Sequence, residues 1–464
     1  MSLLLVGIAI YFLKTDKGHL TLGVLIEDYL STHTYNKIKV LSFNLENYPY
    51  IVLELQLNET ANIILKGELS SYHIDMNYHL RGEELHFNDF HLKERIDVNG
   101  TLFGAFSSLK ITGEGEVFEG DVKYSLTSVP HSIKEMNIEM RRVNIKKMSI
   151  FLEEKSVLNG LANIDAHFGF FSKYAKEGQA EIYMQSASFS HIKENLPFIL
   201  NATIDFQGVE YLYRADMDAD IGRIVFRNGY YHDGKQIATG EYKLYLKDIA
   251  DVKKLLNHSY QGAFETSGTV TYDTRSKLME VRGKTGQFGG ELSYLYKDEY
   301  LDMRLKKVSL KRILEQLSYP LLFVSKIDGR IQFNIKDKRV FINTDLKDTH
   351  FVRSKLTDII YEKTSIDILT EVYDKSSFAG GYQNSILSST LKIDNGKNHI
   401  YLTDTTLNVA NSELSSKFEI KIEGEELLGK IYGTIDEVKV WIDKERFIEY
   451  QADKYLSDWF RTAR

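Results

Sequence analysis

The sequence predicts a mainly β fold: an elongated, twisted and curved antiparallel sheet, a repeating β-groove, with short amphipathic helices and an N-terminal membrane helix. Three observations lead there. Apolar and polar residues alternate with period two over most of the chain, as in Ile51, Leu53, Leu55 and Leu57 against Val52, Glu54 and Gln56, the pattern of strands with one buried face. Only 4 prolines occur in 464 residues, which suits long ladders because proline has no N–H to donate to them. A helix–turn–strand unit also recurs along the chain.

Taken in order, Leu3–Leu13 is apolar throughout and is followed by Lys14. A helix of about 13 residues spans only ~20 Å, short of the ~30 Å hydrocarbon core. A membrane anchor whose first residues precede this start is expected. The alternatives are a signal-peptide core, which would lack a basic start and a small-x-small cleavage site, and a buried N-terminal helix. Lys14 and Lys17 follow the segment, and the positive-inside rule taken alone argues against exporting what comes after it. Thr21–Leu30 reads as an amphipathic helix with Leu22, Leu25, Ile26, Tyr29 and Leu30 on one face. From Ile38 to about Leu126 the pattern is nearly all strand, with Gly120 in Val117–Val122 as a turn or bulge signal.

The recurring unit is clearest at Ser309–Ile335. Leu310, Ile313, Leu314 and Leu317 share a helix face, Ser309 stands where an oxygen can cap the free N–H groups, and Pro320 ends the run. Ile327, Gly329, Ile331, Phe333 and Ile335 then alternate with Asp328, Arg330, Gln332 and Asn334. A step back of 61 residues gives Ile249, Val252, Leu256, Gly268, Val270 and Tyr272, with Asp248 at the cap. A third copy has Ser188 as cap, Phe189, Ile192 and Leu196 on the helix face, and Ala202, Ile204 and Phe206 in the strand. A fourth has Asn144, then Ile145, Met148 and Leu152, then Gly160, Ala162 and Ile164. The small residue opening each strand (Gly160, Ala202, Gly268, Gly329) is expected to let the sheet bend or a helix approach closely.

Beyond Val340 strands resume, with a short helix predicted at Ser354–Tyr361 and good alternation from Ser385 to Ile442. Lys444–Phe460 reads as a helix with Ile448, Ala452, Tyr455 and Trp459 on one side. It suits a cap on the open end of a sheet better than a partner- or membrane-docking helix. The expected divisions are an anchor at 1–13, an amphipathic helix and connection at 14–36, an N-terminal β-groove at 37–143, helix–strand repeats at 144–340, a C-terminal β-groove at 341–442, and the terminal helix at 443–464.

Charge and composition exclude more than they assign. The net charge is −7 and no basic stripe is present, which argues against nucleic acid. With no cysteine, no disulfide framework exists. His73, His79, His86 and His91 lie at spacings of 6, 7 and 5, without an i, i+4 pair or thiols, so zinc is a minor reading beside ordinary strand residues. Asp216, Asp218 and Asp220 resemble the start of a calcium loop, but Ile221 and Arg227 occupy the positions that need Gly and Glu. Gly283-Lys284-Thr285 lacks the first glycine of a phosphate loop, since Leu278 stands there. No catalytic, metal or cofactor residue nominates itself.

About a dozen residues per strand and turn gives roughly 25–30 strands, stacking to as much as ~130 Å. The predicted helices are too few and too short to cover the apolar face of such a sheet. Either the sheet folds over as a dry sandwich or barrel series, or it forms a gutter whose apolar floor stays partly open. An open floor suits lipid tails: keeping about 16 carbons out of water is worth ~12 kcal/mol.

Three features then resemble the AsmA-like superfamily, which includes TamB-type proteins. They are the apolar start followed by Leu13-Lys14-Thr15-Asp16-Lys17-Gly18, similar to the family's "L-x-T-x-x-G", with a helix and a strand at Ile38; the helix–Gly–strand units, above all Val308–Ile335 and Asp248–Tyr272; and the long alternating tail. The resemblance implies a single-pass inner-membrane anchor, a body in the periplasm, and phospholipid acyl chains moving along a β-groove toward the outer membrane of a Gram-negative cell. It implies no catalytic residues. The alternative is a non-lipid assembly factor for outer-membrane proteins that meets an envelope partner through the C-terminal helix. A surface β-protein or adhesin ranks third, and an enzyme last.

Overall fold

The computed structural model describes residues 15–34, 36–45, 47–70, 72–87, 90–151, 157–172, 174–190, 196–252, 262–316, 321–354, 357–358, 361, 367–422, 424–434 and 437–443. The predicted anchor Leu3–Leu13 and the predicted helix Lys444–Phe460 lie outside them. No helix among the described residues is long and apolar enough to cross a membrane. The chain divides into two compact units, Met1–Ala238 and Thr239–Arg464.

In the first unit, helix α1 (Asp16–Thr34) precedes β1 (Ile38–Asn44), β2 (Tyr50–Leu57), β3 (Ala61–Leu69) and β4 (Ile74–Gly82). A short hairpin of β5 (Leu85–Phe87) and β6 (Phe90–Leu92) interrupts the ladder. It resumes with β7 (Ile96–Ala105), β8 (Ser108–Val117), β9 (Gly120–Val129) and β10 (Ser132–Asn144). Helix α2 (Ile145–Phe151) and the two-residue β11 (Leu158–Asn159) lead to β12 (Leu161–Phe171), β13 (Lys176–Phe189), β14 (Phe198–Gly208), β15 (Glu210–Ala219) and β16 (Gly222–His232). Every pairing is antiparallel and follows chain order, apart from the side pairing of β11 with β13.

The second unit begins in β17 (Ile237–Leu246), followed by a 3₁₀ turn (Ile249–Val252). The ladder then runs through β18 (Phe264–Asp273), β19 (Leu278–Thr285), β20 (Glu291–Lys297), β21 (Tyr300–Ser309), helix α3 (Leu310–Gln316), β22 (Phe323–Asn334) and β23 (Arg339–Phe351). It continues as β24 (Ser376–Gln383), β25 (Ile386–Asp394), β26 (His399–Asn408), β27 (Glu413–Ile422), β28 (Glu425–Thr434) and β29 (Val438–Ile442), again antiparallel in chain order.

The predicted alternation in β2 holds closely: Ile51, Leu53, Leu55 and Leu57 are 2, 8, 6 and 3% exposed. The turn signalled at Gly120 is present, one position earlier. The β8–β9 turn is Phe118-Glu119, with φ of 52° and 61°, and Gly120 opens the next strand. Two other two-residue hairpins, at Asp298-Glu299 and Asn384-Ser385, also have both φ positive, as do the first two residues of the three-residue loop Asn58-Glu59-Thr60. That geometry matches the right-handed twist of the flanking strands. Asn and Asp tolerate it better than most residues, which explains their place at two of the three first positions of the two-residue hairpins.

Among the described residues, three of the four repeat units carry their helical turn. Asn144 Oδ1 accepts from the N–H of Lys146 at 3.2 Å, and Asp248 Oδ1 from that of Ala250 at 2.9 Å. Ser309 Oγ lies 3.5 Å from the N–H of Arg312. Leu310 and Ile313 of α3 pack on the core of Leu305, Val308, Ile327 and Leu346, and Ile145 and Met148 of α2 join the core of the first unit. The Ser188 copy differs. Ser188 and Phe189 are the last residues of β13, pairing with Asn159 and Leu158, and Leu196 lies outside any helix. Here the strand runs one residue past the cap position, so no helix begins at Phe189; residues 191–195 lie outside the described residues. Leu152, Ile192, Leu256, Leu317 and Pro320 fall outside the described residues. At the predicted Ser354–Tyr361 helix, Thr357, Asp358 and Tyr361 are helical, and Ser354 Oγ accepts from the Thr357 N–H at 3.3 Å.

Helix α1 turns a different face to the sheet than its periodicity suggests. Leu22, Ile26 and Leu30 are half-buried, but Leu25 and Tyr29 are 57 and 61% exposed. The helix is rotated because its polar side chains serve the backbone of the edge strand β1. Glu27 Oε2 accepts the N–H of Val40 at 2.9 Å, and Ser31 Oγ exchanges hydrogen bonds with the N–H and carbonyl of Ile38, each at 3.2 Å. An uncovered edge is a template for pairing with another chain. Replacing Glu27 and Ser31 together by alanine should therefore strip protection from the Ile38 and Val40 amides, read by hydrogen exchange, and promote self-association. Unchanged exchange at both amides would refute the capping role.

Candidate functional site

The sheet's side chains sort into two chemically distinct faces, and the apolar one is the candidate site. In the first unit a row of register partners crosses every ladder strand from β1 to β16: Val40, Leu55, Ile63, Leu80, Val98, Gly115, Val122, Met140, Ile164, Ile182, Ala202, Ala215 and Phe226. No polar residue interrupts it. The facing row of the opposite side carries Glu54, Ile64, His79, Asn99, Glu114, Lys123, Glu139, Asp165 and Glu181, polar at every strand but β3.

Cover over this apolar face is uneven. Leu55, Val98 and Val122 are buried, in one core with Leu85 and Leu92 of the β5–β6 hairpin and Ile145 of α2. Ile182, Ala202, Ala215 and Phe226, farther along the same row, are only half-buried.

In the second unit the corresponding row is Val270, Val281, Tyr296, Leu301, Phe333, Val340, Tyr382, Leu387, Leu407, Leu414 and Gly433, running from β18 to β28. Each of these residues is half-buried and none is buried. This is a continuous greasy strip that water still reaches. Large exposed apolar strips are uncommon on soluble surfaces unless something binds there.

Two β-bulges each keep the apolar side chains of a single strand on one face. Between Met140 and Val143, and between Leu305 and Val308, one strand carries an extra residue. Arg142 and Lys307 take positive φ there, 57° and 54°, so the apolar side chains before and after stay on one face. Asn163 Oδ1 accepts from the Arg142 N–H at 2.9 Å, and Asp328 Oδ1 from the Lys307 N–H at 2.7 Å.

Polar atoms enter the apolar face at two matched places. In the first unit Tyr78, Gly100, Gly113 and Tyr124 are successive register partners on β4, β7, β8 and β9. The two rings lean over the glycines until their hydroxyls meet, and Tyr78 Oη also donates to the Thr112 carbonyl at 3.0 Å. In the second unit Gly268 and Gly283 pair, and the hydroxyls of Tyr242 and Tyr294 meet at 2.6 Å. Thr266 Oγ1 lies 2.9 Å from Tyr294 Oη. Burial pushes the hydroxyls of Tyr78, Tyr124 and Tyr242 above the usual tyrosine range, so they remain protonated donors.

The periodicity did not reveal these pairs. The only available signal was a glycine at an apolar-face position in each of two consecutive strands. It also corrects the role expected for the small residues. A Cβ on Gly268 would fall 1.8 Å from the Arg282 carbonyl oxygen, and one on Gly329 would fall 2.4 Å from that of Asn343. These two admit a neighbouring strand, while the Gly160 carbonyl accepts the N–H of Ile145, the first residue of α2, at 3.1 Å.

The chemistry-bearing residues singled out from the sequence remain scattered. His79 Nε2 lies 2.9 Å from Asp97 Oδ1, and the His73 ring meets Phe103 edge-on. His86 and His91 are register partners in the β5–β6 hairpin. Asp216 is clamped by Arg223 at 3.0 Å and Arg227 at 2.9 Å; burial opposes its ionisation, but the two guanidinium groups win and hold its carboxyl below the usual range. Gly283-Lys284-Thr285 ends a strand, so it presents no loop to a phosphate. Among the described residues no group of three or more His, Cys, Asp or Glu could hold a metal ion.

The polar face is tied by surface ion pairs, of which Arg330–Asp302 is bidentate at 2.6 and 2.9 Å. The Arg330 bond holds the Asp302 carboxyl below its usual range, against the opposing effect of burial. A carboxylate with a depressed folded-state pKa contributes stability above its unfolded value near pH 4, lost as pH falls through the lower folded value. Arg330→Met should therefore shrink the loss of stability between pH 7 and pH 3, measured as the shift in urea midpoint. An unchanged shift would show that the pair contributes nothing.

Comparison of the chain with protein-family models, with curated proteins and with solved structures finds no match.

Proposed function

We propose that the protein is an AsmA-like envelope protein that binds phospholipid acyl chains along the apolar face of its sheet and lets them move along it. In this reading Leu3–Leu13 contributes to an inner-membrane anchor, the body lies in the periplasm, and the task is binding and conduction without catalysis. One observation supports it above the others: the half-buried strip from Val270 to Gly433, unbroken across the second unit. A strip of this kind offers a tail the same shelter at every strand. A chain can then advance without the ~0.8 kcal/mol per methylene that exposure to water costs.

The test is direct. Protein purified without detergent exchange should yield phospholipid in an organic extract analysed by mass spectrometry. Photo-crosslinkers placed at Val270 and Ile331 should capture acyl chains, while a crosslinker at Arg330, on the opposite face, should not. Lipid-free protein with silent crosslinkers would overturn the proposal.

A further inference from the structure

The first unit places one ammonium group against the aromatic part of its apolar face. Phe168, Phe206, Tyr211 and Tyr231 lie in one register row through Gly178, across β12 to β16. Their rings form an unbroken series, with centroids 5.0 Å apart for Phe168–Phe206, 5.0 Å for Phe206–Tyr211 and 5.6 Å for Tyr211–Tyr231. Phe171 adds an edge-on contact to Phe168 at 5.4 Å. All but Phe168 are half-buried, so the ring surface is reachable.

Lys176 closes this array. Its Nζ lies 5.2 Å from the Tyr211 ring centroid and 5.9 Å from that of Phe171, and donates to Tyr211 Oη at 2.8 Å. An ammonium has three donors. Among the described residues no carboxylate lies within ion-pair distance of it, whereas Lys347, Lys326 and Lys417 on the second unit's polar side each hold an aspartate.

We propose that Lys176 and the ring row form a binding site for one anionic amphiphile, whose acid group sits on Lys176 and whose tail lies across Phe206, Tyr211 and Tyr231. The site rests on the acyl-chain reading above and deepens it by naming where the charged end is held. The shared chemistry is an acidic head on a hydrocarbon tail, either a fatty-acid carboxylate or a lipid phosphate.

The probes are cis-parinaric acid, its methyl ester, and phosphatidic acid as competitor, titrated against the full chain by fluorescence. The wild type should bind the acid about tenfold more tightly than the ester, the size of one charge-assisted hydrogen bond. Lys176→Met, which keeps the apolar stem, should abolish that preference and leave ester affinity unchanged; Lys176→Arg should retain it. Phe206→Ala should weaken both probes. Displacement of the acid by phosphatidic acid would assign the site to lipid phosphate, and its absence to a free fatty acid. Equal binding of acid and ester by the wild type would overturn the Lys176 site while leaving the acyl-chain reading intact. Binding of neither probe would overturn both.

Discussion

Gly100→Ala should destabilise the first unit by about 3 kcal/mol or more, at the upper end of overpacking costs. The added Cβ would lie 2.0 Å from the Thr112 carbonyl oxygen and 2.5 Å from Cζ and Oη of Tyr78. One collision is with backbone that is already paired, so it cannot be relieved by a rotamer change. The other would lift Tyr78 off the sheet and part its hydroxyl from that of Tyr124. Both tyrosines are half-buried, and parting their hydroxyls adds to the cost, by less than the ~1–3 kcal/mol of a fully buried unmet group.

Gly169→Ala is the control: it lies in the neighbouring region of the same sheet, and nothing stands within 4 Å of its Cβ position. That variant should be neutral or gain up to about 1 kcal/mol from a less flexible unfolded chain. Urea melts followed by circular dichroism, with hydrogen exchange read over β7 to β9, separate the two. Equal midpoints for both variants would show that the tyrosines do not brace the glycine pair.

The second large effect separates folding from lipid binding on a single strand. Leu301 and Val308 both lie on the apolar side of β21, but Leu301 is half-buried and Val308 is 0% exposed. Val308→Asp would bury a carboxylate in the core of Leu305, Ile327 and Leu346, costing about 4 kcal/mol or more, and should unfold the surrounding strands. Leu301→Asp lets its charge reach water, and should cost only about 1–2 kcal/mol. It should nevertheless cut the lipid recovered per protein about tenfold, because a tail crossing β21 must pass a hydrated carboxylate. Normal lipid content in a folded Leu301→Asp protein would mean the strip is not the path.

Local features of the chain were legible wherever the physics that sets them is local. Alternation marked Ile51, Leu53, Leu55 and Leu57 as one side of a strand, and Asn144, Asp248 and Ser309 were recognisable caps because each acts within three residues of its own position. The failures share a cause. Ser188 has the composition of a cap, but β13 runs one residue past it, and pairing with Leu158 keeps Phe189 from opening a helix. Leu25 and Tyr29 fit an apolar helix stripe, yet the needs of the β1 backbone turned the helix so that Glu27 and Ser31 face it. The turn read in Val117–Val122 falls at Phe118-Glu119, ahead of the glycine, although neither residue is a customary left-handed one.

By itself, then, the sequence determined strand dominance, the two-faced character of each strand, and the absence of disulfides. All three follow from residue type and period. Tertiary structure alone decided that apolar residues of successive strands stand in line, because a slip of one residue would send each to the other face. The bulges at Arg142 and Lys307 return Val143 and Val308 to the apolar side of their own strands. It alone also decided where the strip is covered, by Leu85, Leu92 and Ile145, and where it is left open, since cover depends on contacts that no single strand's pattern encodes.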